Sequence, residues 1–330
     1  MLPTPLSAEQ VRQWREEGYV VIKGLVDVTE AESAMKKLYP LEGKDGVKHD
    51  FGSGSDLQFP IKDCPALNNM TLSPTLIAAA TQLLARKYEG LKPTVPKLLQ
   101  SVAWAKFGDA PNASGSDSNH EQRIHMDYGN NTWLHPPPWD TPTAVAAIVY
   151  YSDVGHTGGG TAVTPRQGPE DPIYEYPYRH MPGQGVIFPF VNNKDKAEAL
   201  VKTISEKSYE IRKEAYRREI KTQPAKGDVL LYRLDVWHRG TPVNPGTVRY
   251  VHNLLWALPD APGMSTWNPG YTVPMYYGWL EKYVASLEPI QLLSLGFPTA
   301  QHPYWTKQTV EGVKMRYGND VVDRLLSSKL

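Results

Sequence analysis

Gly227-Asp228-Val229-Leu230-Leu231-Tyr232 is followed closely by Asp235-Val236-Trp237-His238-Arg239-Gly240. A glycine turn, a short aliphatic run and then a histidine read as a turn and strand that carry His238 back into a sheet. A second phrase, Arg123-Ile124-His125-Met126-Asp127, sets a histidine and a carboxylate two residues apart. The phrase reads as a strand, in which residues i and i+2 point to the same face, so both side chains can reach one ion. With His238 they form two imidazoles and a carboxylate, the facial triad of non-haem Fe(II) oxygenases. Three coordination positions then stay open, two for a chelating co-substrate and one for O₂. A His-x-Asp phrase alone is weak, because both residues also serve turns, and a zinc site uses similar ligands.

The flanking sequence supplies the sheet that such a site needs. Leu98 to Phe107, Val145 to Tyr151, Thr161 to Val163, Gly185 to Phe190, Asp228 to Tyr232 and Val248 to Trp256 are strand candidates, separated by turn signals such as Gly158-Gly159-Gly160 and the polar stretch 108–120. Val145 to Tyr151 is apolar throughout, as a strand buried on both faces would be. Ahead of these strands, Ser7 and Gln10 form a capping box for a helix that Gly18 stops, and Tyr19 to Ile22 follows as a strand. Thr29 to Leu38 is a second helix, and Ser73-Pro74 starts a third through Leu84. Residues 191–222 break the β pattern as a charged helical insertion whose charges read as a solvated face. Thr306 to Leu326 is helical. The expected architecture is mainly β with flanking helices, a double-stranded β-helix (jelly-roll, cupin-like) core. One domain over 1–330 is expected, with an N-terminal helical region 1–96, a β core 97–256 and a C-terminal helical tail 257–330.

Bulk properties narrow the function class. Lys+Arg and Asp+Glu both number 35 in 330 residues, so the formal charge is zero. A nucleic-acid binder would carry a basic excess, and electrostatic attachment to a membrane has no support either. The single cysteine, Cys64, can make no intrachain disulfide and suits a reducing compartment. The opening MLPTPLSAEQ has no basic segment followed by an apolar one, and there is no run of 18 apolar residues. No secretory leader or membrane span is therefore expected, and the cytoplasm is the default. A monomer or weak homo-oligomer acting on a small molecule fits these numbers.

A third element accompanies the triad. Arg249 lies eleven residues after His238, inside the strand-like Thr247-Val248-Arg249-Tyr250-Val251. Its guanidinium is suited to bidentate capture of a carboxylate, although a core or surface ion pair is the commoner use. His252, three residues on, falls on the opposite strand face and reads as a core residue.

Together these elements resemble the phytanoyl-CoA dioxygenase family of Fe(II)/2-oxoglutarate oxygenases. Leu6 to Val11 and Glu17 to Leu25 look like that family's first helix and strand, His125-Met126-Asp127 its His-x-Asp, and Gly227 to Asn244 the segment carrying its distal histidine. Gly158 to Pro165 is similar to its glycine turn, and Gly296-Phe297-Pro298 with His302 to Trp305 resembles the C-terminal region of some members. The resemblance implies a double-stranded β-helix with Fe(II), 2-oxoglutarate and O₂. It assigns His125, Asp127 and His238 to iron and Arg249 to the far carboxylate of 2-oxoglutarate. It also points to Gln100 and Thr161 as co-substrate contacts. The chain departs from the family pattern after the glycine turn, where Pro165-Arg166-Gln167-Gly168 replaces the usual Pro-Gly-Ser-His, so Arg166 becomes a candidate substrate contact. Val251 stands where some members have a serine after the arginine. Because halogenating relatives lack the carboxylate, Asp127 disfavours halogenation.

Tyr128, Asn130, Trp133 and Trp237, with the Pro136 to Trp139 loop, are the expected pocket walls. The implied activity is oxidation of a metabolite C–H bond, most commonly hydroxylation, with desaturation or oxidative cyclisation compatible with the same triad. Two other readings use the same residues: a non-catalytic small-ligand-binding β-sandwich, and a metal-dependent hydrolase.

Overall fold

The structure is a computed structural model. It describes residues 4–40, 57–85, 94–108, 119–127, 137, 139–175, 187, 190–259, 261, 279–295, 297, 299–301, 305, 307, 310, 313, 314 and 317–328. Among the described residues nine strands run in chain order: β1 (Tyr19–Ile22), β2 (Leu57–Gln58), β3 (Lys97–Phe107), β4 (Ala144–Tyr150), β5 (Thr161–Thr164), β6 (Ile220–Lys221), β7 (Val229–Tyr232), β8 (Trp237–Gly240) and β9 (Val248–Ala257). Six of them form one sheet in the order β1-β7-β4-β9-β3-β2, and the other three form a second in the order β6-β5-β8. Every pairing is antiparallel. Side chains of both sheets meet in one apolar cluster, with Ile148, Leu230, Tyr232 and Val251 from the large sheet and Val163 from the small one. This is the jelly-roll core expected from the sequence. Both edges of the large sheet, β1 and β2, come from the region before residue 97.

The central strands are apolar throughout because each face has its own core. On β4, Val145, Ala147 and Val149 belong to one cluster while Ala144, Ala146, Ile148 and Tyr150 belong to the other. On β7, Val229 and Leu231 divide from Leu230 and Tyr232 in the same way. A strand covered on both faces loses the apolar-polar alternation of a half-exposed one. The outer face of the large sheet is covered by helices α1 (Ala8–Glu17), α2 (Thr29–Leu38), α3 (Pro65–Thr71) and α4 (Pro74–Leu84), which contribute Trp14, Met35, Leu67, Leu76 and Leu83 to that cluster.

Local signals hold at the residues that carried them. Ser7 and Gln10 close the capping box of α1, and Gly18 ends it with φ 92°. A Cβ at Gly18 would lie 2.4 Å from Val236 Cγ2, so only glycine fits both the left-handed turn and the contact. At α4, Ser73 stands at the N-cap as expected, with Pro74 in the first turn, but its side chain makes no capping hydrogen bond. Of the expected strand Gly185 to Phe190, the described Ile187 and Phe190 lie in tight 3₁₀ turns, and the other four residues are outside the described set. Of the expected helix Thr306 to Leu326, the continuous described part is Asn319–Ser327. No described helix is long and apolar enough to cross a membrane.

Two short helices, α5 (Val154–Thr157) and α6 (Pro172–Glu175), precede and follow β5. The insertion is helical as expected: α7 (Lys194–Ile204) and α8 (Glu206–Arg218) pack against each other. Its charges, however, are not all solvated. Arg212 is buried and pairs with Glu198, while Arg217 and Lys213 stay exposed. A buried Arg–Glu pair needs further hydrogen bonds to be tolerated, and Tyr216 donates one to Glu198 at 2.7 Å. The same Tyr216 oxygen accepts from the Ile124 amide at 2.7 Å. The insertion therefore braces the segment that carries His125.

Candidate metal centre

His125 and His238 are direct cross-strand partners. Their backbones exchange two hydrogen bonds, His125 N to His238 O at 2.9 Å and His238 N to His125 O at 2.8 Å. The sequence suggests a full strand around His125, and the segment instead forms a single bridge to β8. Two residues on, the Asp127 amide donates to the Leu234 carbonyl at 2.8 Å. The extended geometry is thus kept, and it sets Asp127 on the same side as His125. The two imidazole centroids lie 4.3 Å apart. One ligand atom from each of His125, Asp127 and His238 falls within 4.8 Å of the others.

The hydrogen bonds around the triad orient it for a cation. His238 Nδ1 lies 3.0 Å from the Val236 carbonyl and His125 Nδ1 lies 3.4 Å from the Arg123 carbonyl. A carbonyl only accepts, so each Nδ1 carries a proton, and Nε2 is the nitrogen that can ligate. Both Nε2 atoms face the same carboxylate oxygen, Asp127 Oδ1, at 3.8 Å for His125 and 3.6 Å for His238. Desolvation by the surrounding protein, reinforced by the neighbouring His238, holds the His125 imidazole well below its usual range, in the neutral form that binds metals. Burial also pushes the Asp127 carboxyl up, against His238 and a hydrogen bond from Tyr232. Two imidazoles presenting Nε2 and a desolvated carboxylate are a donor set for a divalent cation, whose charge would offset the cost of burying the carboxylate.

Arg249 stands on the same inner face of the large sheet, two residues from Val251 of the inter-sheet cluster. Its guanidinium donates to the Gly159 carbonyl. The glycine turn makes this approach possible: Gly159 has φ 72°, and a Cβ there would lie 3.2 Å from Arg249 Cδ and 2.6 Å from Val243 Cγ2. Thr161 is buried beside this turn, with its hydroxyl 2.9 Å from the Tyr150 hydroxyl. Burial pushes the Tyr150 phenol up, and the nearby Arg249 charge pulls against it. Gln100 lies on β3 opposite Leu255, at a parity that puts it on the inner face with Lys106.

Two further candidates are engaged in packing. The Trp237 indole donates to the Ile173 carbonyl at 3.0 Å, and Arg212 lies over its ring at 5.9 Å. Alternation along β8 turns it away from the face that carries His238. Arg166 is buried, with its guanidinium 4.6 Å from the Trp139 ring centroid and donating to the Pro169 carbonyl. Trp139 itself donates to the Arg15 carbonyl and is covered on its face by Arg233 at 3.7 Å. Tyr128, Asn130 and Trp133 lie outside the described residues.

Three residues of the inner face carry no signal in the sequence. Tyr232 donates to Asp127 Oδ2 at 3.2 Å and packs on His238 with centroids 4.7 Å apart. Tyr150 joins Thr161 beside Arg249, and Lys106 is the direct cross-strand partner of Arg249. Their strands are buried on both faces, so no pattern marks which face each residue takes. The Arg249 parity relative to Lys106 becomes known only once the β3–β9 register is set.

No protein-family model matches the chain, and no curated protein matches it in sequence. Solved structures do resemble it in fold. The non-heme alpha-ketoglutarate-dependent carbocyclase SnoK from nogalamycin biosynthesis superposes with a TM-score of 0.51 at 18% identity, over 83% of this chain and 93% of that one. EctD from S. alaskensis gives 0.49 at 15% identity, over 82% and 84% of the two chains. AviO1 from Streptomyces viridochromogenes Tue57 gives 0.48 at 14%, over 80% and 99%. Of these three the carbocyclase carries the comparison, and at its level of identity the likeness is one of fold: the chain has the jelly-roll fold of that enzyme.

Proposed function

We propose that this chain is an Fe(II)/2-oxoglutarate-dependent dioxygenase of the phytanoyl-CoA dioxygenase type, oxidising a C–H bond of a small-molecule metabolite. The observation that carries this reading is the convergence of His125 Nε2, His238 Nε2 and Asp127 Oδ1 on one point inside a jelly roll. His125, Asp127 and His238 hold the metal through one face, leaving the others for ligands. Fe(II), 2-oxoglutarate and O₂ together supply an oxidant for C–H bonds, with 2-oxoglutarate leaving as succinate and CO₂. Arg249 binds the far carboxylate of 2-oxoglutarate, with Thr161 and Gln100 as further contacts on the same inner face. The Val236 and Arg123 carbonyls keep both histidines in the ligating tautomer. Tyr128, Asn130, Trp133, Trp237 and Arg166 belong to the proposed substrate surroundings, those described acting through packing. Hydroxylation is the leading outcome, and the fold shared with a carbocyclase keeps oxidative cyclisation beside it. A single catalytic domain over 1–330, monomeric or weakly associated and cytoplasmic, goes with this reading.

The test is anaerobic. Purified protein mixed with Fe(II), ascorbate and 2-oxoglutarate is expected to develop a weak metal-to-ligand absorption in the visible, lost when His238 is replaced by alanine. A folded protein that shows no such band would overturn the proposal and leave a binding protein or a hydrolase in its place. Succinate release across a metabolite panel then identifies the substrate.

A further inference from the structure

The two oxygens of Asp127 have different neighbours. Oδ1 faces both imidazoles, 3.8 Å from His125 Nε2 and 3.6 Å from His238 Nε2. Oδ2 accepts a hydrogen bond from the Tyr232 hydroxyl at 3.2 Å. We propose that Tyr232 is a positioning residue that confines Asp127 to one-oxygen ligation through Oδ1 and so sets how many metal positions remain open. The proposal rests on the metal reading above and deepens it.

Tyr232 is placed to hold that bond. It ends β7 inside the large sheet, in register with Tyr19 on one side and Ala146 on the other. Its backbone is therefore fixed by two neighbouring strands, and its ring is packed against His238. The donor and acceptor are 105 residues apart in the chain, so the bond ties the main sheet to the ligand segment. A carboxylate can hold a cation through one oxygen or both. A donor on one oxygen occupies a lone pair that two-oxygen ligation would use and fixes the carboxylate plane. Two-oxygen ligation would fill one further position, leaving too few for a chelating 2-oxo acid together with O₂. A hydroxyl present only to satisfy itself would have no such consequence.

Mn(II) is the probe, since it needs neither O₂ nor turnover. In the wild-type protein, a crystal structure of the Mn(II) complex is expected to show Oδ1 as the ligand, with Oδ2 on Tyr232. Tyr232→Phe keeps the ring and removes the donor. It is expected to weaken Mn(II) binding by about 10-fold, the size of effect that outer-sphere partners usually have. Water-proton relaxation should report one fewer exchangeable water on the bound ion. Tyr151→Phe, a buried tyrosine on the opposite face of the sheet, serves as the packing control and should change neither quantity. A folded Tyr232→Phe protein with wild-type Mn(II) affinity and hydration would overturn the proposal. So would both Asp127 oxygens ligating Mn(II) in the wild-type crystal, which needs no variant to fold. A wild-type protein that binds no Mn(II) would overturn the metal reading itself, a different failure from either of these.

Discussion

Histidines stand on both sides of the large sheet, and their surroundings are chemically opposite. On the outer face, His252 is fully buried, with Nδ1 2.8 Å from the Tyr151 hydroxyl and Nε2 2.8 Å from the Ser101 hydroxyl; Thr71 lies 3.4 Å from the same Nε2. Hydroxyls donate and accept, so either tautomer of the ring is satisfied. On the inner face, His125 and His238 spend Nδ1 on backbone carbonyls and turn Nε2 toward a carboxylate and each other. Two ring nitrogens able to ligate and a carboxylate oxygen make a donor set that a cation would complete. Burial of histidine is common to both faces. The difference lies in the partners: the His252 ring nitrogens meet hydroxyls, whereas the Nε2 atoms of His125 and His238 face one carboxylate oxygen.

Deleting a member of each cluster should separate the two roles most sharply. His238→Ala or Asp127→Ala is expected to weaken Fe(II) binding by more than about 100-fold, exceeding the usual effect of an outer-sphere partner. Asp127→Ala should cost the metal-free protein little stability, because removing a desolvated carboxylate offsets the hydrogen bond that Tyr232 loses. Metal titration calorimetry and urea denaturation of the metal-free variant measure the two quantities. A large loss of metal-free stability would show that Asp127 is held for structure.

His252→Leu should do the reverse. Tyr151 and Ser101 would each lose a buried partner, at a cost of about 3 kcal/mol in urea denaturation, while Fe(II) affinity stays within about twofold of the wild type. An equal loss of metal affinity would show that the two faces are coupled rather than independent.

The same comparison has a pH signature. Burial pushes His252 down to about 3 from an ordinary 6.5. Above pH 6.5 the ring is neutral in both folded and unfolded chains, and its contribution is fully present. As pH falls from 6.5 toward 3, the unfolded chain takes up a proton that the folded one refuses. Stability should then drop by up to about 1.4 kcal/mol per pH unit. His252→Leu should remove one histidine's share of that slope. His125, also held low, adds to it in the metal-free protein. A slope unchanged by His252→Leu would mean that the ring titrates normally in the fold.

The smallest expected effect is at Arg249. Arg249→Lys keeps the charge but not the planar fork and should weaken 2-oxoglutarate binding to the metal-loaded protein by about 10-fold. Metal affinity itself should not change. Equilibrium titration of the visible band reads this directly, and unaltered 2-oxoglutarate affinity would remove Arg249 from the co-substrate site.

Much of this is legible in the residue types and their spacing. The Ser7–Gln10 capping box, the Gly18 stop and the Gly158-Gly159-Gly160 turn are local devices whose residue types act wherever they stand. The His125/Asp127 spacing is likewise local, since i and i+2 share a face in any extended segment, even one reduced to a single bridge. Tyr128, Asn130 and Trp133 lie outside the described residues. Trp237 adjoins His238 in sequence, but alternation along the strand turns the two side chains to opposite faces. The solvated-face reading of the insertion fails at Arg212 and Glu198 because charge count does not reveal a pair that folds inward.

The chain's residues, taken alone, settle which groups are available and in what local order: two imidazoles, a carboxylate, an arginine and the turns between them. Folding in three dimensions settles which of these meet. Strands with a core on each face carry no alternation, so nothing along β4, β7 or β9 tells inner from outer. The parity between Arg249 and His252 is local, but only the pairing registers put Tyr232 on Asp127, Lys106 opposite Arg249 and Ser101 against His252, joining residues that are more than a hundred positions apart in the chain.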